Sequence, residues 1–459
     1  MLIRLGALGV VALLAGLAVP ASASAGPSDA PAGRAAPTAE EARLDRAAPQ
    51  EILRRSGFDS VAPELARALD RARSYDQARG LVVREGAALW RRAVDRAQGR
   101  GPAAGLSRDD DRPLYWARLG MTRELRQWDP ARFTLGEGQR AALLGALERS
   151  SRGQDTIAYP GNDKSNKNNN ENDPSNASNA SNKANGSGAD GKDAEGTRHA
   201  PRGKGHVKRI LVTGFDPFTL DRDVRISNPS GAAALALDGT TIRTAEGLAR
   251  VEAVIFPVRW EDFAEGTVER ALRPYLPHVD LFTTISQGRV GRFDVERTNG
   301  AWRGGFPDNE NLSRTGTVPV TDPAAQPQWT STTLPYEKIV AAETGRFPVY
   351  DNTSVTEIPA GGTTPVVRPD GPTAGSTARE GGGGNYLSNE IAYRVTLLRD
   401  RLGLHDRLPG GHVHTPVLQF GAGNTDPATG TVTDPEFVRN RLDIIAQVRG
   451  ILGAAASSS

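Results

Sequence analysis

Hydrophobic and polar positions change rhythm along the chain. From about Ala39 to Arg149, Ala, Leu, Val and Trp recur every three or four positions among Arg, Asp and Glu, as in PELARALDRARSYDQARG and GAALWRRAVDRAQGR. That spacing gathers the apolar side chains on one helix face and predicts a small helical module over residues 26–150. Trp90, Tyr115, Trp116 and Trp128 fall within it, and aromatics at helical spacing fill a core more readily than they form a ligand surface. Within 151–206, from about Gly161 to Gly205, the apolar positions nearly vanish. SNKNNNENDPSNASNASNKANGSGADGKD has too few to offset the entropy of ordering, which predicts a low-complexity, disordered linker.

From Val207 onward short apolar runs alternate with amphipathic ones. VKRILVTGF, RVEAVIFPV, VDLFTTIS, RFPVYDNT and GHVHTPVL read as buried strands rich in Val, Ile and Phe. SGAAALALDG, DFAEGTVERALRPYL, LPYEKIVAAETG, NEIAYRVTLLRDRLG and PEFVRNRLDIIAQVRGILG read as helices, with Asn228 before Pro229 as an N-cap and first helical residue. Alternation of this kind predicts an α/β domain over 207–459 with a mainly parallel sheet covered on both faces. In such sheets ligands sit beyond the carboxyl ends of the strands, which directs attention to the loops after Thr213, Ile285 and His414.

The amino terminus stands apart. An apolar run from Leu5 to Val19 follows Arg4 and gives way to Ala23-Ser24-Ala25, the pattern of a secretory signal over residues 1–25. The run is shorter than the roughly 20 residues that a membrane span needs. A mature chain starting near Gly26, without a membrane span and located outside the cell or at the cell wall, is therefore expected. The sequence contains no cysteine, which excludes disulfides, cysteine metal sites and thiol catalysis and suits an oxidising compartment. Lys and Arg number 56 against 54 Asp and Glu in 459 residues, a balance that argues against a nucleic-acid protein.

Candidate chemistry follows from position. Ser388, in EGGGGNYLSNEIAYRVTLL, stands after a glycine run and before a strong helix pattern, where backbone N–H groups are available to an oxyanion; the alternative is a helix cap. His414 and His412 lie two apart on one predicted strand and so share a face, as a zinc pair or, with one acting alone, as a base. Glu296, in RFDVERTNG, is either the acid that orients such a histidine or an ordinary surface carboxylate. Phe215 and Phe218, three apart in GFDPF after the first strand, line a small flat pocket or pack in the core.

These pieces occur in one order: LVTGFDPF, NPSGAAALALDG, VERTNG, FPDNE, STTLP, GNYLSN and HVHTPVL. In that order they resemble the pyrrolidone-carboxylate peptidases, also called pyroglutamyl peptidase I, over roughly Lys208 to Phe420. The resemblance implies a three-layer α/β/α sandwich and removal of an amino-terminal pyroglutamate from peptides by a triad, here Ser388, His414 and Glu296. It also implies that the pyroglutamyl ring lies between Phe215 and Phe218 and that Gln287 binds the lactam. No metal or organic cofactor is implied, and the expected partner is a peptide with a blocked amino terminus. Two departures accompany the match. Serine stands where the family has its catalytic cysteine, and Gly305 stands where the family has an arginine, with Arg303 the nearest substitute. A serine needs a true general base, because an alkoxide does not persist at neutral pH as a thiolate does. The expected activity is that of a secreted serine hydrolase of the pyroglutamyl peptidase I kind; the alternative is an inactive pyroglutamyl-peptide-binding or scaffold protein of the same fold.

Overall fold

The computed structural model describes residues 35–158, except 103, and 207–457. The expected signal segment and most of the expected linker lie outside the described residues. Helices α1 (Ala39–Ala42), α2 (Ala47–Ser56), α3 (Val61–Leu69), α4 (Tyr75–Ala97), α5 (Arg112–Gln127) and α6 (Glu137–Ser150) form the amino-terminal module. Its aromatics are core residues: Trp90, Tyr115 and Trp116 are each no more than 1% exposed. Order extends past the expected boundary at 150, because Arg152 and Gln154 are buried and reach the following domain. Gln154 Nε2 donates to the Ile255 carbonyl at 2.9 Å, and the Arg152 carbonyl accepts from Ile255 N–H at 3.0 Å.

The second domain is built on a seven-stranded sheet. In chain order its first members are β1 (Lys208–Phe215), α7 (Pro229–Leu237), β2 (Thr241–Thr244), β3 (Gly247–Phe256), α8 (Trp260–Ala264), α9 (Thr267–Leu272), β4 (Leu281–Gln287) and β5 (Phe293–Glu296). Two short ribbons follow, β6 (Thr298–Gly300) with β9 (Trp329–Ser331) and β7 (Trp302–Gly304) with β8 (Thr315–Thr317). Then come α10 (Tyr336–Ala341), β10 (Val349–Asn352), a small sheet of β11 (Val355–Ile358), β12 (Val366–Arg368) and β13 (Thr377–Glu380), α11 (Leu387–Arg401), β14 (Gly410–Thr415) and α12 (Pro435–Ala456). The large sheet runs β10-β5-β14-β4-β1-β3-β2. Its four central strands, β14, β4, β1 and β3, are parallel; β5 is antiparallel to β14, and β2 to β3. The class is α/β, mixed and mainly parallel, with helices on both faces.

Alternation along β1 assigns the faces. Ile210 and Val212 pack with Ala232 of α7 and Ile444 of α12, whereas Leu211 packs on the other side with Phe263 and Ile391. The first of these cores continues into the helical module, since Trp90 and Trp116 belong to the same cluster. Two expectations need adjustment. The segment DFAEGTVERALRPYL breaks into α8 and α9 because Gly266 adopts φ 77°, a left-handed geometry that ends a helix. Strands β2 and β5 were not apparent from the apolar pattern. The Gly, Pro and Thr-rich stretch around Pro359–Gly384 carries β12 and β13. Among the described residues no helix is long and apolar enough to cross a membrane.

The turn after β1 is fixed by close backbone approach. A Cβ on Gly214 would lie 2.4 Å from the Ser230 carbonyl, and one on Gly231 would lie 2.5 Å from the Phe215 carbonyl. Only glycine lets the end of β1 and the start of α7 come this near. Phe215 N–H donates to Ser230 Oγ at 3.1 Å, and Asn228 caps α7 by accepting from Ser230 N–H at 3.1 Å.

Candidate active site

The carboxyl ends of β1, β4 and β14 meet the amino terminus of α11 around a cavity of about 360 Å³. Phe215, Phe218, Gln287, Ser388 and His414 all line it. Glu296 lies behind His414, fully buried, with Oε1 accepting from His414 Nδ1 at 2.7 Å. That bond puts the ring proton on Nδ1 and leaves Nε2 with a free lone pair. Glu296 Oε2 accepts from Asn352 Nδ2 at 2.6 Å, and Asn352 also donates to the Gly382 carbonyl at 3.0 Å. The carboxylate is thus held at both oxygens.

Ser388 is not the cap of α11. Tyr386 holds the N-cap position, and the Glu390 N–H to Tyr386 carbonyl bond, 3.1 Å, opens the helix. The N–H groups of Leu387, Ser388 and Asn389 therefore precede the helical ladder, at the positive end of the helix dipole. Ser388 Oγ donates to the Gly383 carbonyl at 3.1 Å, so proton transfer to His414 requires the hydroxyl to turn.

The glycine run before α11 is a wall of the site. A Cβ on Gly382 would meet Glu296 Oε2 at 2.2 Å, and one on Gly383 would meet His414 Cε1 at 2.9 Å. From the other side, a Cβ on Gly288 would meet His414 Cβ at 2.5 Å. The imidazole is gripped between two backbones that have no room for a side chain.

The remaining candidates have definite places. Phe215 is 3% exposed and stacks on Phe263 with centroids 6.1 Å apart, so it serves core and cavity together. Phe218 is half-buried and leans on Tyr386, which donates its hydroxyl to the Pro307 carbonyl at 3.0 Å. Gln287 Oε1 accepts from Leu418 N–H at 3.0 Å, which leaves its Nε2 as a donor. Both nitrogens of His412 are engaged by hydroxyls, Thr284 Oγ1 and Ser286 Oγ, each at 2.8 Å. Arg303 does not reach the cavity, because Glu390 binds its Nε and Nη2 at 2.6 Å each and it is absent from the lining. The cation on the lining is Arg289, 2.9 Å from Asp294 and 3.9 Å from Glu296.

Comparison with known proteins addresses both halves of the chain. A family model described as PA0049 N-terminal domain matches residues 21–148, and one described as PA0049, C-terminal domain, matches 209–324 and 346–419. The uncharacterized protein PA0049 of Pseudomonas aeruginosa (strain PAO1) is 33% identical over 502 residues, covering 88% of this chain and 83% of that protein. The chain belongs to the PA0049 family. Solved structures similar to it include pyroglutamyl peptidase I of Bacillus amyloliquefaciens, at 20% identity and TM-score 0.37, covering 55% of this chain and 97% of that one. Pyrrolidone carboxyl peptidase of Thermococcus litoralis is 17% identical with TM-score 0.36, covering 54% and 94%. That of Pyrococcus furiosus is 22% identical with TM-score 0.36, covering 54% and 97%.

Sequence reasoning missed Ser286, Gly288, Arg289, Asn352 and the individual roles of Gly382 and Gly383. The four consecutive glycines at 381–384 were a visible signal, since so much conformational freedom next to a helix start requires a packing reason. Asn352 gave none; it reaches Glu296 only because β10 lies beside β5.

Proposed function

We propose that this member of the PA0049 family is a secreted serine peptidase that hydrolyses an amino-terminal pyroglutamyl amide. The observation that carries the reading is the convergence of Ser388 and a Glu296-bound His414 on a cavity lined by Phe215, Phe218 and Gln287. Ser388 Oγ attacks the scissile carbonyl carbon while its proton passes to His414 Nε2, and Glu296 stabilises the resulting imidazolium. The oxyanion takes hydrogen bonds from the free N–H groups at the start of α11. Collapse breaks the C–N bond, the leaving amine takes the proton from His414, and water then hydrolyses the acyl ester by the same relay. Export is supported by the amino-terminal apolar run alone.

A second reading is favoured by one contact. Ser388 directs its hydroxyl to Gly383, and a hydroxyl that stays there leaves a pyroglutamyl-peptide-binding protein without turnover. Hydrolysis of a pyroglutamyl amide reporter by the protein, Ser388→Ala and Ser388→Cys separates the two. Turnover by the parent that is lost in Ser388→Ala establishes the serine mechanism. A silent parent with an active Ser388→Cys establishes the binding protein, and silence in all three folded proteins overturns the peptidase reading.

A further inference from the structure

Beside the His414–Glu296 pair runs a second hydrogen-bonded line that the mechanism above does not use. His412 is fully buried, and its ring meets that of His414 edge-on with centroids 4.6 Å apart. With its single proton on the Gly411 carbonyl, 3.3 Å away, Thr284 Oγ1 faces His412 Nδ1 at 2.8 Å as an acceptor. In that arrangement Nδ1 carries the ring proton, and Nε2 accepts from Ser286 Oγ–H at 2.8 Å. Burial, reinforced by the neighbouring His414, holds the His412 pKa well below that of ordinary imidazole, so the ring stays neutral with a single proton. Ser286 lines the cavity with its proton turned inward, which leaves only lone pairs for a ligand.

The next residue has the opposite polarity. Gln287 Oε1 is taken by Leu418 N–H, and its Nε2 donors remain. An acceptor and a donor on consecutive residues complement the N–H and C=O of a cis amide, the arrangement that a lactam ring enforces.

We propose that Ser286 is a specificity-determining acceptor that takes the ring N–H of the acyl group and rejects an oxygen at the same place, with Thr284 and His412 as its positioning residues. The identity of the ring rests on the proposed function; the polarity of Ser286 does not. An oxygen there sets lone pair against lone pair and leaves Ser286 unpaired, which discriminates far more strongly than the loss of a methylene contact.

The test is calorimetric binding of 5-oxopyrrolidine-2-carboxamide and of its lactone isostere, 5-oxotetrahydrofuran-2-carboxamide, with every protein, the parent included, carrying Ser388→Ala so that neither amide is turned over. The parent is expected to bind the lactam on the order of a hundredfold more tightly than the lactone. In Ser286→Ala that ratio falls to within about threefold, mainly through weaker lactam binding of about tenfold. Thr284→Val is nearly isosteric and removes the acceptor for Nδ1–H. The ring then carries its proton on Nε2, the Ser286 proton turns into the cavity, and the preference falls to about one or inverts. Folding of each variant is checked by thermal denaturation. An unchanged ratio in Ser286→Ala, equal binding of both ligands by the parent, or binding of neither overturns the inference. Lactam binding that depends on Ser286 without any reporter hydrolysis overturns the catalytic reading and leaves this one standing.

Discussion

The two flanks of the cavity are held by opposite means. On the flank of the helical module, Asp216, between the two cavity phenylalanines, is 2% exposed and lies between Arg118 and Arg152, with Arg152 Nη2 at 2.7 Å. Asp111 of the module accepts from Ser227 Oγ and, at 2.9 Å, from Asn228 N–H. Asn309 Nδ2 donates to Glu40 at 3.1 Å and to the Pro217 carbonyl at 2.9 Å. On the opposite flank the wall is Gly381–Gly384, which has no side chains and touches Glu296 and His414 through backbone. Buried charge fixes position through direction, and its loss leaves unpaired ions. A glycine wall fixes position through contact, and its loss displaces the groups beside it. The first flank should therefore answer mutation in stability and the second in activity.

The largest expected effect breaks the charged flank. Asp216→Ala leaves the buried Arg118 guanidinium without its carboxylate and Arg152 with Glu148 alone, and should lower unfolding free energy by about 3 to 5 kcal/mol, read by chemical denaturation. Next is a pH effect on the same flank. Burial, and after it the charge of Asp110, push the Asp111 carboxyl up to about 6. A carboxyl whose folded value lies above its unfolded value of 3.8 contributes stability that is present below about 4 and lost as pH rises through 6. In Asp111→Asn, the stability difference between pH 4 and pH 7 should change by up to about 3 kcal/mol. An unaltered pH profile would show that Asp111 does not titrate in that window.

The glycine flank should separate activity from stability. Gly383→Ala puts a Cβ 2.9 Å from His414 Cε1 and should reduce reporter kcat/KM on the order of a hundredfold, because small misplacements of reacting groups are costly. Its unfolding free energy should change by only about 1 to 3 kcal/mol. If stability collapses and the activity of the remaining folded protein is normal, the contrast between the flanks is wrong. The smallest effect is expected of Asn352→Ala, which removes one hydrogen bond from Glu296 and should cost about tenfold in kcat.

Much of this was legible in the residues. The four central strands read as apolar runs because both faces of a parallel sheet are covered, and α11 and α12 read as helices from their period. Strand β5 escaped because FDVE alternates apolar and acidic residues, a pattern that reads as half exposed although Glu296 was a candidate for the acid beside His414. Asp294 and Glu296 are 0% exposed, held by Arg289, Arg292, Asn352 and His414. The role of Arg303 was likewise open in the sequence, because its partner Glu390 lies 87 residues away. A buried ion pair leaves no local signal, since each member alone has the composition of surface.

The sequence by itself determined the α/β alternation, the helical module before it, the absence of thiol chemistry and the identity of the candidate residues. These depend on apolar period and residue type, which are local properties. Only the tertiary structure decided that the module shares a core with the sheet domain, that glycines 288, 382 and 383 grip the His414–Glu296 pair, and that Ser286 links the cavity to the buried His412. Those features depend on distances between segments far apart in the chain, and no period or composition encodes a distance.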